Sequence, residues 1–387
     1  MARHPHVDLT VAYCSLQGAE AGYDPEFSIN VKWDVPLLDG YSWTEVPNRS
    51  LHPGLGRFFG LVNPGLWTLI RRGRFDAVIS FTGYVYATFW IGLLATKLCR
   101  VPVFFGTDAS SITPRDSNPW KRSLKLAAKR IFWPLLFRAA DRVITASSRG
   151  TELIKSIGIS EERILMGFET VDNDWWLAQA ARANREAVRE AWRVTPEQPV
   201  ILFCGKLQSW KRPLDLLEAF SQTAIPGAVL VYAGSGPEGA RIEARTSALG
   251  LGHRVRLLGF VNQSQLPGVY KASDLMVIPS EYEPFGLVVN ESMLCECPVV
   301  ASDKVGAVGD LIVDGRTGFV YPCGDTAALA AVLRRAFSNR ERLAEIARTA
   351  RQRVRAWSVR ESVAAYVDGV AKAVCRPERA VPVEHWP

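Results

Sequence analysis

The sequence predicts an α/β protein made of two doubly wound domains, each with a parallel sheet covered by helices on both faces. Three observations lead to this prediction. The chain has 387 residues, which suits two domains better than a single core. Short, continuous apolar runs alternate with helical patterns. The alternation runs through the first half and restarts in the second, as expected for two successive βα series.

The predicted strands form two groups. In the first half they are Asp8–Tyr13, Ala77–Phe81, Val101–Phe105 and Arg142–Ala146. In the second half they are Val200–Cys204, Ala228–Ala233, Val255–Leu258, Leu275–Pro279 and Pro298–Ala301. Continuous apolar strands of this kind are typical of parallel sheets that are buried on both faces.

Between the two groups lies a charged helical segment, 180–193, that carries no strong core signal, so we place the domain boundary near it. The predicted N-terminal domain covers 1–178 and the C-terminal domain covers 179–357. The last segment, 358–387, is predicted to be a helix that packs back on the N-terminal domain, followed by a tail. Because ligands bind at the carboxyl ends of parallel strands, two such domains facing each other would form a cleft with a ligand site on each wall.

Composition excludes several classes of protein. Hydrophobic residues make up 48% and charged residues 22% of the chain, without repeats or low-complexity tracts, which indicates a globular protein. The N-terminus lacks an apolar signal core and the cysteines are scattered, which favours a cytoplasmic location with reduced thiols. The uncharged stretch 77–96 has the length of a membrane span, but Thr82 and Gly83 interrupt it. We interpret it as a strand, a turn and a helix.

One segment, 121–142, is rich in basic and aromatic residues, in a chain with a formal net charge of +7. Asp141 is the only acid within it. Two interpretations remain open: peripheral contact with the inner face of an anionic membrane, and a core-facing helix with a solvated basic side. No nucleic-acid recognition motif accompanies the charge, so nucleic acid is not a predicted partner.

The stretch with most potential for chemistry is PSEYEPFGLVVNE, residues 279–291. A buried strand is predicted to end at Pro279, and an apolar helical pattern begins at Gly286. The free N–H groups and positive end of such a helix form an anion site, and a glycine lets a phosphate approach closely. Glu283 precedes the helix and Glu291 lies inside it, roughly 7–8 Å along the axis. The two carboxylates suit hydroxyl pairs at opposite ends of an elongated ligand, although a solvated loop acid and a helix-surface acid would show the same spacing.

A second element, CGKLQSWKR at 204–212, follows the predicted strand VILFC, which we place at the opposite edge of the same domain. Gly205 ends the strand, and Lys206 and Lys211 are expected to point towards the carboxyl end of the sheet. Two ammonium groups there would neutralise a diphosphate and stabilise it as a leaving group.

Two further motifs point to other chemistry. GSGPEG at 234–239 follows a strand and precedes a helix, so it matches the dinucleotide fingerprint G-x-G-x-x-G. That fingerprint also expects an acid at the end of the next strand, where this chain has LGF at 258–260, and this weighs against a nicotinamide enzyme. DND at 172–174 spells a triplet that binds metal in some enzymes, but its place at the domain boundary indicates a linker turn. No metal site is predicted.

Together, PSEYEPFGLVVNESM at 279–293, GKLQSWK at 205–211, GSGP at 234–237 and LLGF at 257–260 resemble the retaining GT-B glycosyltransferases of family 4, also called glycosyltransferase group 1. The resemblance is strong over residues 201–333. It implies the GT-B fold, with two Rossmann-like domains facing each other across a cleft. It also implies that the C-terminal domain binds a nucleotide-sugar donor.

The resemblance assigns roles to individual residues. It implies that Glu283 contacts the transferred sugar, that Glu291 contacts the donor ribose, and that Lys206 and Lys211 grip the diphosphate. It places the other donor contacts at Gly205, Gly236, Phe260, Phe285, Gly286 and Leu287. It further implies retention of the anomeric configuration, no cofactor or required metal, and a departing diphosphate that helps to deprotonate the acceptor.

Three positions depart from the family pattern. The glycine-rich loop after the first strand is reduced here to Gly18 and Gly22. The acceptor-side histidine is absent, and Asp108 is the candidate to replace it as a catalytic residue. Glu296 stands where a glycine usually ends the helix. The donor site is therefore better defined than the acceptor site.

For the acceptor we predict contacts from Gly18 and from Asp24, which lies in a stretch rich in aromatics and acids. The working hypothesis is transfer of a hexose-type sugar from a nucleoside-diphosphate sugar to a hydroxyl acceptor. That acceptor is either a lipid-linked or cell-envelope saccharide, or a small secondary metabolite. Three alternatives stay open: a sugar-nucleotide epimerase of the same fold, a nicotinamide dehydrogenase, and a non-catalytic nucleotide-sugar-binding module.

Overall fold

A computed structural model describes residues 1–114 and 118–374 of the chain. Its strands are β1 (Thr10–Tyr13), β2 (Gly22–Asp24), β3 (Ile29–Val31), β4 (Ser42–Glu45), β5 (Val78–Ser80), β6 (Val103–Thr107), β7 (Arg142–Thr145), β8 (Ile164–Met166), β9 (Val200–Cys204), β10 (Val229–Ala233), β11 (Val255–Leu257), β12 (Leu275–Ile278), β13 (Val299–Ser302) and β14 (Gly318–Tyr321). Its α-helices are α1 (Gly65–Gly73), α2 (Ala87–Leu98), α3 (Pro119–Ala139), α4 (Ser148–Ser156), α5 (Asn173–Arg182), α6 (Arg185–Ala191), α7 (Pro213–Ser221), α8 (Gly239–Ala248), α9 (Leu266–Ala272), α10 (Leu287–Leu294), α11 (Thr326–Phe337), α12 (Arg340–Arg355) and α13 (Val359–Val374). The chain forms two compact units: unit 1 comprises 1–16, 40–167 and the chain from 362, and unit 2 comprises 17–39 and 168–361.

Unit 2 contains a six-stranded parallel sheet with the order β11-β10-β9-β12-β13-β14. Counted within the unit, this order is the 3-2-1-4-5-6 arrangement of Rossmann folds. The order reverses between β9 and β12, which are direct neighbours in the middle of the sheet. The prediction that the strand 200–204 lies at the opposite edge is therefore wrong, because β10 and β11 extend the sheet on one side and β13 and β14 extend it on the other.

The unit 2 strands form because they are apolar along their whole length and are covered on both faces. Every residue of β10 is buried, and so are all residues of β12 and β13. The helices contribute fully buried side chains to the same core, among them Leu216 and Phe220 of α7 and Leu329 and Leu333 of α11. Each such side chain stabilises the fold by about 1.5–3 kcal/mol relative to an exposed one.

Unit 1 contains the parallel four-stranded sheet β5-β6-β7-β8 and the parallel pair β1-β4. Its core joins the sheet to α2, α3 and α4 through Phe89, Phe105, Trp133, Val143 and Ile154. From Ser362, α13 folds with this unit. The Ser362 hydroxyl donates a hydrogen bond of 2.8 Å to the Gly167 carbonyl.

The units differ from the predicted domain ranges in two places. The main part of unit 2 begins at residue 168, before the predicted boundary at 178/179. Helix α5, which spans that boundary, belongs to unit 2, because the ring of its buried Trp176 lies 5.9 Å from the Tyr270 ring. The segment 17–39, which contains the antiparallel pair β2-β3, also folds with unit 2. The D-x-D triplet is not a linker turn: Asp172 caps α5 by accepting a hydrogen bond of 3.0 Å from the Trp175 N–H.

The uncharged stretch 77–96 is a strand, a connection and a helix, as predicted: it contains β5 and most of α2. Within the residues that the structure describes, no helix combines the length and the apolar character needed to cross a bilayer.

Candidate active site

Two loops meet at the carboxyl edge of the unit 2 sheet. One follows β9 and the other follows β12, and because these strands are adjacent at the point where the strand order reverses, this is where such sheets bind ligands. The Glu281 N–H donates a hydrogen bond of 2.9 Å to the Trp210 carbonyl, which joins the two loops. The Lys211 ammonium contacts the Glu283 carboxylate, so the structure brings together two side chains that are 72 residues apart in the chain.

The glycine-rich loop after β10 packs against the loop after β9. The Leu207 N–H donates a hydrogen bond of 2.8 Å to the Ser235 carbonyl, and the Glu238 N–H donates one of 3.0 Å to the Leu207 carbonyl. Gly236 has φ +149°, and a Cβ there would lie 2.7 Å from the Leu207 carbonyl oxygen. The glycines therefore make room for a neighbouring loop of the same site.

The first turn of α10 faces the same edge. Gly286, with φ +98°, is its N-cap, and no side chain of the described residues caps the helix. The backbone N–H groups of Leu287 and Val288 therefore belong to the set that an α-helix leaves unpaired, where anions bind. The Phe285 side chain points into the protein, and its ring stacks 5.7 Å from the Trp357 ring.

The loop that carries Glu283 is held by the residues after β13, which the sequence did not indicate. The Gly306 N–H donates a hydrogen bond of 2.9 Å to the Glu283 carbonyl, and the Ala307 N–H donates one of 3.1 Å to the Phe285 carbonyl. A Cβ on Gly306 would lie 1.7 Å from the Pro284 carbonyl oxygen. This close backbone approach requires glycine and fixes the position of Glu283.

Glu291 is buried inside the unit and is not a helix-surface acid. The Tyr270 hydroxyl donates a hydrogen bond of 2.7 Å to its carboxylate. Burial raises the pKa of Glu291 to about 7, although the hydrogen bonds from Tyr270 and Gln263 act in the opposite direction. Tyr270 is a functional candidate that the sequence did not reveal, because its helical spacing is that of an ordinary core residue.

Lys206 does not contact Glu283. Its ammonium lies 2.6 Å from the Glu26 carboxylate and 3.2 Å from the Asp24 carboxylate, both in the segment that joins unit 2 from the N-terminal part of the chain. Gly205, with φ +141°, ends β9 just before it. Lys206 is therefore paired in the protein without a ligand.

The remaining residues singled out from the sequence lie on other elements. Asp108 follows the end of β6 in unit 1 and is exposed. Gly18 is exposed, with φ +95°. The Phe260 ring, in the loop after β11, lies 5.1 Å from the Phe27 ring. Glu296 adopts φ +60°, a conformation that favours glycine, and pairs with Lys271 and Arg351.

Several carboxylates lie in unit 2, but the described residues contain no group of three or more His, Cys, Asp or Glu side chains arranged to hold a metal ion. The end of β11 carries no acid, since Leu258 and Gly259 follow it. The arrangement can thus bind an anion between Lys211 and the first turn of α10, and hydroxyl groups at Glu283 and Glu291.

Comparison with known proteins identifies the family. Residues 184–353 match the model of the glycosyl transferases group 1, and residues 7–166 match that of a glycosyl transferase 4-like domain. The alpha-D-kanosaminyltransferase of Streptomyces kanamyceticus is 34% identical over 316 residues, which cover 78% of this chain and 81% of that protein. The chain belongs to the glycosyl transferases group 1.

Other members and structures resemble this glycosyltransferase. A D-inositol 3-phosphate glycosyltransferase of Geodermatophilus obscurus is 31% identical over 259 residues, which cover 63% of this chain and 56% of that relative. The structure of Anabaena HepE in complex with UDP has a TM-score of 0.68 at 21% identity, over 86% of each chain. A glycosyltransferase of Rickettsia africae has a TM-score of 0.70 at 20% identity, over 87% of this chain and 86% of that one. These structures confirm the predicted GT-B fold class.

Proposed function

We propose that this glycosyltransferase moves a hexose-type sugar from a nucleoside-diphosphate sugar to a hydroxyl acceptor, with retention of configuration and without a metal ion. The observation that carries the proposal is the pair of Lys211 and Glu283 beside the uncapped first turn of α10, at the carboxyl ends of β9 and β12, with Lys206 in the same loop as Lys211. Cations, free N–H groups and a carboxylate at one edge suit a sugar attached to a diphosphate.

Each group has a role that its surroundings support. The ammonium groups of Lys206 and Lys211 and the first-turn N–H groups at Gly286 and Leu287 hold the diphosphate. Negative charge builds up on the diphosphate as the bond to the sugar breaks, so fixed positive charge there lowers the barrier. Glu283 accepts hydrogen bonds from the sugar hydroxyls. The buried Glu291 accepts them from the ribose.

Fewer residues support the assignment of the acceptor site. Asp108, exposed at the end of β6, takes the place of the histidine that related enzymes carry and contacts the sugar or the acceptor hydroxyl. The departing diphosphate takes part in deprotonating that hydroxyl on the same face of the sugar. Gly18 stays a predicted acceptor contact.

Two acceptor classes are supported by different observations. The name of one relative, a D-inositol 3-phosphate glycosyltransferase, favours a small ring polyol. The surface of α3 favours a lipid-linked or cell-envelope saccharide. Transfer assays with D-inositol 3-phosphate and with a bacterial lipid extract, run side by side with one donor, distinguish the two classes.

Helix α3 presents an apolar stripe to solvent. Trp120, Leu124, Ile131 and Leu135 are each 60–77% exposed, and their spacing places them within about 60° around the helix axis. The helix contains six basic residues and no acid: Lys121, Arg122, Lys125, Lys129, Arg130 and Arg138. Its buried side, by contrast, packs Trp133, Leu136 and Phe137 into the core of unit 1.

An exposed apolar stripe flanked by positive charge fits the surface of an anionic bilayer. Ile131→Ser/Leu135→Ser and Lys121→Glu/Lys125→Glu should each reduce sedimentation with vesicles of phosphatidylcholine mixed with phosphatidylglycerol. Arg316→Glu/Arg348→Glu makes the same change of charge at exposed arginines of unit 2 and serves as the control. Equal sedimentation of all variants would exclude this membrane contact.

The donor proposal is tested by the thermal stability of the purified protein with UDP, GDP, ADP and NAD. We expect one nucleoside diphosphate to stabilise the wild-type protein, and Lys206→Ala or Lys211→Ala to lose that effect. Stabilisation by NAD alone would instead make 234–239 a dinucleotide loop. Conversion of the sugar nucleotide to its epimer without an acceptor would indicate the epimerase, which the family match does not favour.

A further inference from the structure

The segment 17–39, here called the strap, contacts three loops of the proposed donor site. It reaches Lys206 and Gln208 after β9, Ser235 after β10, and Phe260 after β11. All of these residues belong to unit 2. The strap therefore covers the carboxyl edge of the sheet at the positions where the donor is expected.

The second half of the strap is anchored through its backbone and one carboxylate. The Asn262 side-chain amide donates a hydrogen bond of 2.7 Å to the Lys32 carbonyl and accepts one of 3.3 Å from the Asp34 N–H. The Asp34 carboxylate accepts a hydrogen bond of 3.1 Å from the Ser264 N–H and contacts the Ser264 hydroxyl. None of these groups belongs to the proposed diphosphate site.

The first half of the strap contains an acidic turn, residues 24–27, that holds Lys206. The turn is preformed, because the Asp24 carboxylate accepts hydrogen bonds of 2.8 Å from the Glu26 N–H and 3.1 Å from the Phe27 N–H. The carboxylates of Asp24 and Glu26 lie 3.2 and 2.6 Å from the Lys206 ammonium. The Phe27 ring completes the contact, with the ammonium 4.9 Å from its centre.

The two carboxylates that contact the Lys206 ammonium carry negative charge, as does the diphosphate that this ammonium is proposed to bind. A diphosphate at Lys206 would lie within a few ångströms of both carboxylates, and like charges at that distance repel strongly in a partly buried site. The acidic turn and the diphosphate therefore cannot both hold Lys206.

We propose that Asp24 and Glu26 are specificity-determining residues of the donor site: they hold Lys206 in the free protein, and only a ligand with enough phosphate charge displaces them. The inference rests on the proposed function, because it assumes that the diphosphate binds at Lys206. On donor binding the acidic turn leaves Lys206, while the anchored half of the strap stays on Asn262 and Ser264. Asp24 thereby acts on the donor rather than on the acceptor.

The test compares a nucleoside diphosphate with its nucleoside. The affinities of UDP and uridine, or of GDP and guanosine if the guanine nucleotide stabilises the protein, are measured for the wild type and for Asp24→Asn/Glu26→Gln. We expect the variant to bind the diphosphate about two- to thirty-fold more tightly, because displaced ion pairs no longer oppose binding, and the nucleoside with unchanged affinity. Asp34→Asn, in the same strap but away from Lys206, should leave the affinity for the diphosphate unchanged.

Hydrogen exchange of the wild-type protein provides a measurement that does not depend on the variant folding. Addition of the diphosphate should increase amide exchange in residues 24–28 and leave residues 32–34 protected. Unchanged or weaker diphosphate binding by the double variant would overturn the proposal, and so would protection of 24–28 on binding. Slower transfer by Asp24→Asn with an unaltered donor affinity would return Asp24 to the acceptor. If no nucleoside diphosphate binds the wild type or any variant, the proposed donor site itself is wrong. If the wild type and the double variant bind the diphosphate equally, the donor site stands and only the role of Asp24 and Glu26 is wrong.

Discussion

Replacement of Tyr270 by phenylalanine tests how the protein sets the charge of Glu291. The Tyr270 hydroxyl is the donor of a 2.7 Å hydrogen bond to a buried carboxylate. A hydrogen bond to a charged group contributes about 1.5–3 kcal/mol, which corresponds to about one to two pKa units. Without the hydroxyl, the pKa of Glu291 should therefore rise further above its present value of about 7.

The expected effect on donor binding follows from the ionised fraction. At pH 7, raising the pKa of Glu291 by one to two units lowers that fraction by about 5- to 50-fold. Ribose hydroxyls donate hydrogen bonds to the ionised carboxylate, so the Kd of the preferred nucleoside diphosphate should rise by a similar factor at pH 7. Near pH 9 the difference between Tyr270→Phe and wild type should shrink to about two-fold or less, because Glu291 is then about half ionised or more in both.

Calorimetric titrations from pH 6 to pH 9 measure this dependence. Tyr232→Phe is the matched control, since Tyr232 is equally buried but donates its hydrogen bond of 2.9 Å to the Pro213 carbonyl. It should lower stability by about 1–3 kcal/mol without altering the pH dependence of binding. A ratio of Kd values between Tyr270→Phe and wild type that stays constant with pH would refute the reasoning, because it would show that Tyr270 acts only through the fold.

Three further predictions concern the same unit. Burial raises the pKa of Glu291 to about 7 in the folded protein, above the unfolded value of 4.5, so the folded protein holds the proton more tightly. The unfolding free energy should therefore fall by about 3 kcal/mol as the pH rises from 4.5 to 7. Urea unfolding at pH 5 and pH 8 should show this decrease in the wild type and not in Glu291→Gln. Gly306→Ala should lower stability by about 1–3 kcal/mol and reduce transfer, whereas Gly252→Ala, where a Cβ meets open space, should do neither. Glu283→Gln should lower kcat much more than it weakens donor binding, because its contact matters most as charge develops on the sugar. Weaker donor binding with an unchanged kcat would instead show that Glu283 contacts the ground state and the transition state equally.

The central parts of the fold were predictable from local sequence. Strands such as β9, β10 and β12 are continuous apolar runs because both of their faces are buried, and the start of α10 is marked by Gly286. The short strands β4, β8 and β14 were not predicted. For β4 the reason is its sequence SWTE, which is mostly exposed and lacks the continuous apolar run that marks the buried strands.

Strand order and long-range contacts could not be predicted in the same way. Apolar periodicity identifies which residues are buried but not which element covers them, and so β9 was placed at an edge. The acidic turn was expected near the acceptor because it lies in the N-terminal part of the chain. Its partner Lys206 is about 180 residues away, and no local feature of either segment indicates the other. The pairing of Lys211 with Glu283 was not predicted either: both residues were placed after strands of one domain, but at opposite edges of its sheet.

The insertion of the strap between β1 and β4 has a consequence for how the protein is made. A ribosome releases the strap early, yet its partners at Lys206, Asn262 and Ser264 lie about 180–230 residues further along the chain. Non-local contacts form slowly because a long loop must first close. The apolar and acidic strap therefore cannot make its contacts until the sheet of unit 2 has been synthesised and assembled. Its docking is expected to be among the last steps of folding.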